Sequence, residues 1–265
     1  MWNRTDGFEA TMSHPDQNHH ESGVGDQTGT KEPRDEDDSY ADDTPLTWVL
    51  GNHPEVKLVA AILSEHDRPL NKSDLARQAG VIRNNVYDHL SNLLDHRILE
   101  EMGQVGQTDI KLYQLSDTKT TELLIELEAM LLKYKYEHED EPVTATRDPP
   151  VDSDITPDSE DPYAEGTPLT WVFGDHPEPK LLAAFLSEPE QQLNVSDWAR
   201  IAGVSRGAVY NHRESFIEYG IIKHGHKSAG SQHYRLNLES PIVQLLFDLE
   251  DHLLRQWYES KEQID

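Results

Sequence analysis

SDLARQAGVIRNNVYDHL (Ser73–Leu90) returns later in the chain as SDWARIAGVSRGAVYNHR (Ser196–Arg213). Each copy reads as an amphipathic helix ending at Gly80 or Gly203, a two-residue elbow, and a second helix opening with Arg83 or Arg206. Helices that meet so closely need small residues at the contact. Ala76, Ala79 and Gly80 supply them in the first copy, Ala199, Ala202 and Gly203 in the second. Glycine also permits the positive φ with which a chain leaves a helix without a Cβ clash. Val81 and Val86, like Val204 and Val209, then point back into the core between the two helices.

These features predict a helix-turn-helix in each copy, and the flanking sequence extends the repetition. TPLTWVLGNHPEVKLVAAILSE (Thr44–Glu65) and TPLTWVFGDHPEPKLLAAFLSE (Thr167–Glu188) agree at 17 of 22 positions. An internal duplication accounts for that identity, so two full domains are expected. His53-Pro54 and His176-Pro177 predict an extended lead-in before a helix, because the residue before proline avoids the helical region. Leu58, Val59, Ile62 and Leu63, and Leu181, Leu182, Phe185 and Leu186, recur at helical spacing behind it. Trp48 and Trp171 read as core aromatics that hold this lead-in against the helix. Leu70 and Leu193 suit a one-residue strand pairing. Asn71 with Asp74, and Asn194 with Asp197, carry the cap-and-acid signal of a helix start.

Beyond the helix-turn-helix the period changes. Ile98-Leu99 and Ile221-Ile222 begin a strand, and KLYQL (Lys111–Leu115) or HYRL (His233–Leu236) returns after a glycine-containing loop, which makes a wing. A long helix closes each repeat. Its apolar stripe runs through Leu124, Leu127, Leu131 and Tyr134 in the first copy, and through Ile242, Leu246, Leu249, Leu253 and Trp257 in the second. Such a stripe fits a partner helix or the body of its own domain, and both readings stay open.

The expected fold is mainly α with small β wings. It comprises a disordered acidic tail (1–43), a first winged helix-turn-helix domain (44–138), an acidic Pro-rich linker (139–166) and a second such domain (167–262). The linker would span roughly 30 Å as a flexible chain. That reach allows one repeat to fold beside the other as an intramolecular pseudo-dimer, with a homodimer through the closing helices as the alternative.

Fifty acidic against 23 basic residues give a net charge of −27, opposite in sign to the footprint of a nucleic-acid binder. Segments 1–43 and 139–166 carry 18 of those 27 excess charges, so the two repeats are only mildly negative. An acidic chain without cysteine fits a salt-adapted proteome, and a halophilic archaeal cytoplasm is the expected setting. The absence of cysteine excludes disulfides and thiol-based metal sites or nucleophiles. No signal-peptide pattern or membrane-length apolar run is evident. His14, His19 and His20 read as part of a solvated tail, and the His224-x-His226 spacing lacks further ligands, so neither a metal nor a cofactor is expected.

The order helix, helix-turn-helix, two-stranded wing and closing helix resembles the winged helix-turn-helix proteins of haloarchaea. Those are relatives of the ArsR- and MarR-like regulators, often built around a lead-in like TPLTW and a core like NVSDWARIAGVSRGAVYNH. The resemblance covers both repeats and leaves tail and linker unmatched. It implies binding of double-stranded DNA, with the second helix of the motif in the major groove and the wing near the flanking backbone or minor groove.

Carried over by position, Ser205, Arg206, Tyr210 and Asn211 face the DNA in the second copy. Arg206 would bond guanine and Asn211 adenine, while Ser205 would cap the helix beside a phosphate. Lys223, His224, His226 and Lys227 make that wing basic, and Arg213, standing where Leu90 fills the first core, is expected to turn outward to a phosphate. The first copy keeps Arg83, Asn84, Asn85 and Tyr87. It has Asp88 in place of Asn211 and Glu100-Glu101 in place of Lys223-His224, so it is expected to be the weaker reader.

Affinity falls by about 0.9 log units per phosphate contact for each tenfold rise in salt, so a reader in molar salt gains little from many lysines. The leading expectation is thus a transcriptional regulator acting through the second repeat. A winged-helix adaptor that has lost DNA binding and contacts a basic partner is the alternative. An enzyme is not expected, since no phosphate loop, HExxH pair, GxSxG elbow or spaced carboxylate cluster appears.

Overall fold

The computed structural model describes residues 40–104, 110–138, 164, 166–228 and 230–262, all within the compact unit Glu36–Asp265. Most of the expected tail, most of the linker and the tips of the wings lie outside the described residues, but Tyr40–Asp43, expected within the disordered tail, form a 3-10 turn with Ala41 buried in the core, so order begins before Thr44. The rest is mainly helical with two small antiparallel sheets.

The first half runs α1 (Pro45–Leu50), α2 (Pro54–Ser64), α3 (Lys72–Gln78), α4 (Arg83–Asp95), β1 (Leu99–Gln104), β2 (Lys111–Leu115) and α5 (Lys119–His138). The second runs α6 (Pro168–Phe173), α7 (Pro177–Ser187), β3 (Gln192–Asn194), α8 (Val195–Ala202), α9 (Arg206–Glu218), β4 (Ile222–Ser228), β5 (Ser231–Leu236) and α10 (Pro241–Glu262). The two series match element for element, apart from the 3-10 turn before α1 and the strand β3. There the first half has only the bridge Leu70 to Tyr113, whereas Leu193 pairs with Tyr234 inside a three-stranded sheet of order β3-β5-β4.

The start signals act as read. Asn71 Oδ1 accepts from the amides of Ser73 and Asp74, and Asn194 Oδ1 from those of Ser196 and Asp197. These bonds satisfy donors that the first turn of a helix leaves open. At the elbow Gly203 adopts φ 65°, and the Val204 amide returns to the carbonyl of Ala199. Val86 and Val209 are buried at the crossing, with Val81 and Val204 packed against the core.

Three further expectations are corrected. The lead-in is not extended throughout, because Pro45–Leu50 and Pro168–Phe173 are short helices, and the residues that keep the extended backbone are those before a proline, Thr44, His53, Thr167 and His176. Trp48 and Trp171 do not serve their own domain alone but also join the two halves. Trp48 stacks on Tyr219 of the other half at 5.7 Å, and Trp171 stacks on His96 of the other half at 6.2 Å and on Trp257 at 5.7 Å. Arg213 does not turn outward. It is buried, with its guanidinium 4.7 Å from the ring of Tyr210 and 5.8 Å from that of Tyr234, and Nε bonded to Glu214 at 3.0 Å.

The closing helices serve both partners weighed for them. α5 packs on α1 and α2 of its own half and also on α10, while α10 likewise touches α6. Leu124, Leu127 and Leu131, with Leu246, Leu249 and Leu253, are all buried in one continuous core.

Candidate nucleic-acid interface

The helix that carries most of the expected readers, α9, begins at Ser205, whose Oγ accepts from the Ala208 amide at 3.1 Å. This cap leaves Arg206 at the first helical position, partly exposed, with Tyr210 half-buried one turn on and Asn211 exposed. In α4, Arg83, Asn84 and Tyr87 are exposed and Asn85 is half-buried. Tyr87 is 48% exposed and still held in place, with Lys72 Nζ 4.1 Å from its ring centroid and Arg83 5.6 Å away. Lys111, from β2, lines the same shallow groove.

The wings differ from their sequence reading in charge. Glu101 is engaged by Lys111 at 3.0 Å, and Glu100 accepts from Gln114, so the acidic start of the first wing is partly answered from its own sheet. In the second wing Lys223 is bound to Glu239 at 3.1 Å, whereas Lys227 is exposed. His226 sits by Gln192 at 2.8 Å and stacks on His233 at 4.3 Å, while His224 leans on Tyr234. Among the described residues no group of three or more His, Asp or Glu side chains is arranged to hold a metal ion.

Between α4 and α9 lies a polar chain that the sequence reading missed. His53 and His176 stack at 3.5 Å, tilted by 4°, where the two halves meet. Each reaches across to the other half's carboxylate: His53 Nε2 lies 3.2 Å from Glu178, and His176 Nε2 lies 3.2 Å from Glu55. Those carboxylates in turn hold α4 and α9, Glu55 to His89 at 3.4 Å and Glu178 to His212 at 3.3 Å. An unbroken run from His89 through Glu55, His176, His53 and Glu178 to His212 therefore links α4 to α9.

Two further bonds tighten the same join, Asn92 Nδ2 to the Trp171 carbonyl and Ser215 Oγ to the Trp48 carbonyl, both 2.6 Å. Gly51 makes room for the arrangement, since a Cβ there would stand 2.4 Å from Glu178 Oε1. Burial disfavours the Glu178 carboxylate. The hydrogen bond from His53 and the charge of His212 outweigh that penalty and hold its pKa below the ordinary value. The signal available in the sequence was the His-Pro-Glu triplet kept in both copies, which was read for its backbone meaning alone.

No family model matches this chain, and no curated protein resembles it significantly. Among the described residues no helix is long and apolar enough to cross a membrane.

Proposed function

We propose that the protein is a DNA-binding transcriptional regulator made of two winged helix-turn-helix halves, reading the major groove chiefly through α9, with α4 as a partly divergent second reader. The observation that carries this reading is the tie between the two candidate recognition helices. A protein that reads two half-sites needs its reading helices at a fixed separation, and the His89-to-His212 run with the Asn92 and Ser215 bonds fastens each helix to the opposite half.

Exposed Asn211 and Lys227 with partly exposed Arg206 offer polar groups for bases and backbone on one side, and exposed Arg83, Asn84 and Tyr87 with partly exposed Lys72 on the other. Few cations suffice where concentrated salt cancels counterion release, and base-edge bonds then set the affinity. Arg206→Ala should cost about 1–3 kcal/mol on a selected duplex in concentrated potassium chloride and relax selectivity. Arg83→Ala should cost less. Unchanged affinity and footprint in both variants would contradict the proposal.

An adaptor that no longer binds DNA is the second reading, favoured by the net charge of −27 and by the engagement of Lys223 with Glu239. Partners that stay bound in a pull-down after nuclease treatment would support it over the first.

A further inference from the structure

The internal duplication sets α4 beside α9 position by position, and their first two turns differ chiefly at the surface. Arg83, Val86 and Tyr87 recur as Arg206, Val209 and Tyr210, and both valines are buried at the crossing. The other four places from 82 to 88 differ: Ile82, Asn84, Asn85 and Asp88 stand against Ser205, Gly207, Ala208 and Asn211. Ile82, Asn84, Asp88 and Asn211 are exposed, and the others are partly exposed.

Two of these differences bring the fold no gain among the described residues. Ser205 caps α9, its Oγ accepting from the Ala208 amide at 3.1 Å, whereas Ile82 at the same place makes no side-chain cap for α4. Ile82 is also 69% exposed. A cap is given up and apolar surface is left in water, and a local rule broken at such a double cost marks a functional position. Gly207 is the second case. Apart from its own helix backbone and chain neighbours, a Cβ there would meet only Ser205 Oγ, at 3.6 Å, so packing does not call for glycine. Glycine weakens a helix, and what it offers in return is close approach of a partner to the backbone.

Base edges in a major groove suit these two surfaces differently. An exposed aliphatic side chain at the start of a reading helix fits the C5 methyl of thymine, and an asparagine beside it fits adenine. Arg206 next to Gly207 fits guanine, which a guanidinium bonds in bidentate fashion.

Resting on the DNA-binding reading above, we infer that the two halves read unlike half-sites: α4 one that contains thymine, its methyl group packed on Ile82, and α9 one that contains guanine. Symmetric dimers mirror their symmetry in palindromic sites. Here both readers belong to one chain and have diverged, so the preferred duplex is not a palindrome and is bound in a single orientation.

Selection from random duplexes with the full chain in concentrated potassium chloride supplies the preferred sequence, and two unlike half-sites are expected. Arg83→Ala should relax the preference in the half-site of α4 and so identify it, while Arg206→Ala relaxes the other. Each thymine of the α4 half-site is then replaced in turn by deoxyuracil, which removes the C5 methyl and leaves the hydrogen-bonding edges intact. At one thymine this should weaken binding about three- to fivefold, the worth of one buried methyl group. Ile82→Ser should abolish that sensitivity, and since serine restores the cap, the variant should melt no lower than the wild type. A palindromic consensus, no loss at any thymine, or a loss that Ile82→Ser leaves unchanged would overturn this inference while DNA binding stands. No enrichment of any sequence would overturn the DNA-binding reading and this inference with it.

Discussion

Arg213 occupies the position of Leu90, and its guanidinium lies among Tyr210, Tyr234 and Glu214 rather than on the surface. Such a group acts through packing. Removing one partner of a buried pair loses its bond, although Glu214 stays in reach of solvent, so Arg213→Leu should cost on the order of 1–3 kcal/mol and leave duplex affinity as it was. Chemical denaturation and fluorescence anisotropy on the one variant check both halves of that statement. Glu178 is the opposite case, buried and bonded to His53 and His212. Its folded pKa lies below its ordinary 4.5, so the stability it contributes is complete above that value and is lost as pH falls through the folded pKa. Glu178→Gln should remove this acid-side loss and cost on the order of 1–3 kcal/mol at neutral pH, because it breaks a buried charge-assisted bond. A denaturation series across acid pH would show it.

At the scale of elements, the caps and the glycine elbow were legible because their physics is local: Asn194 bonds amides two and three residues on, and Gly203 needs only its own φ. Asn194→Ala should therefore destabilise the protein by about 1 kcal/mol, with α8 the first helix to lose hydrogen-exchange protection. The helices α1 and α6 were not legible, since six residues show no period and the His-Pro signal spoke only for the residues beside it. Nor was the role of Trp48, whose stacking partner Tyr219 lies in the other half of the chain. Half-burial looks the same in sequence whichever domain provides the cover. The candidate readers on α9 were visible from position alone, but the inward turn of Arg213 depended on the rings of Tyr210 and Tyr234. The His53–His176 stack was hidden for the same reason, because nothing within one copy says that the other will face it.

For the whole molecule, the meeting of the halves sets stability and fixes α4 relative to α9. Glu128 of α5 and Glu250 of α10 occupy matching positions on the two closing helices, which pack on each other. Burial pushes both carboxyl groups up to about 7. A folded pKa above the ordinary 4.5 gives a contribution present at low pH and lost as pH rises through about 7. The unfolded chain ionises these groups from 4.5 upward, so the loss accumulates between 4.5 and about 7; together with Glu178 this places maximum stability near pH 4.5. Melting temperature should fall from about pH 5 to about pH 7 in the wild type, level off above that, and fall less when Glu128 and Glu250 are both glutamine. The central claim is that this acidic protein selects particular duplex sequences. Its most direct test is retention of fragmented genomic DNA by the full chain in concentrated potassium chloride. The predicted result is enrichment of a shared sequence that Arg206→Ala abolishes. Retention no greater than that of random fragments, or enrichment indifferent to Arg206, would contradict it.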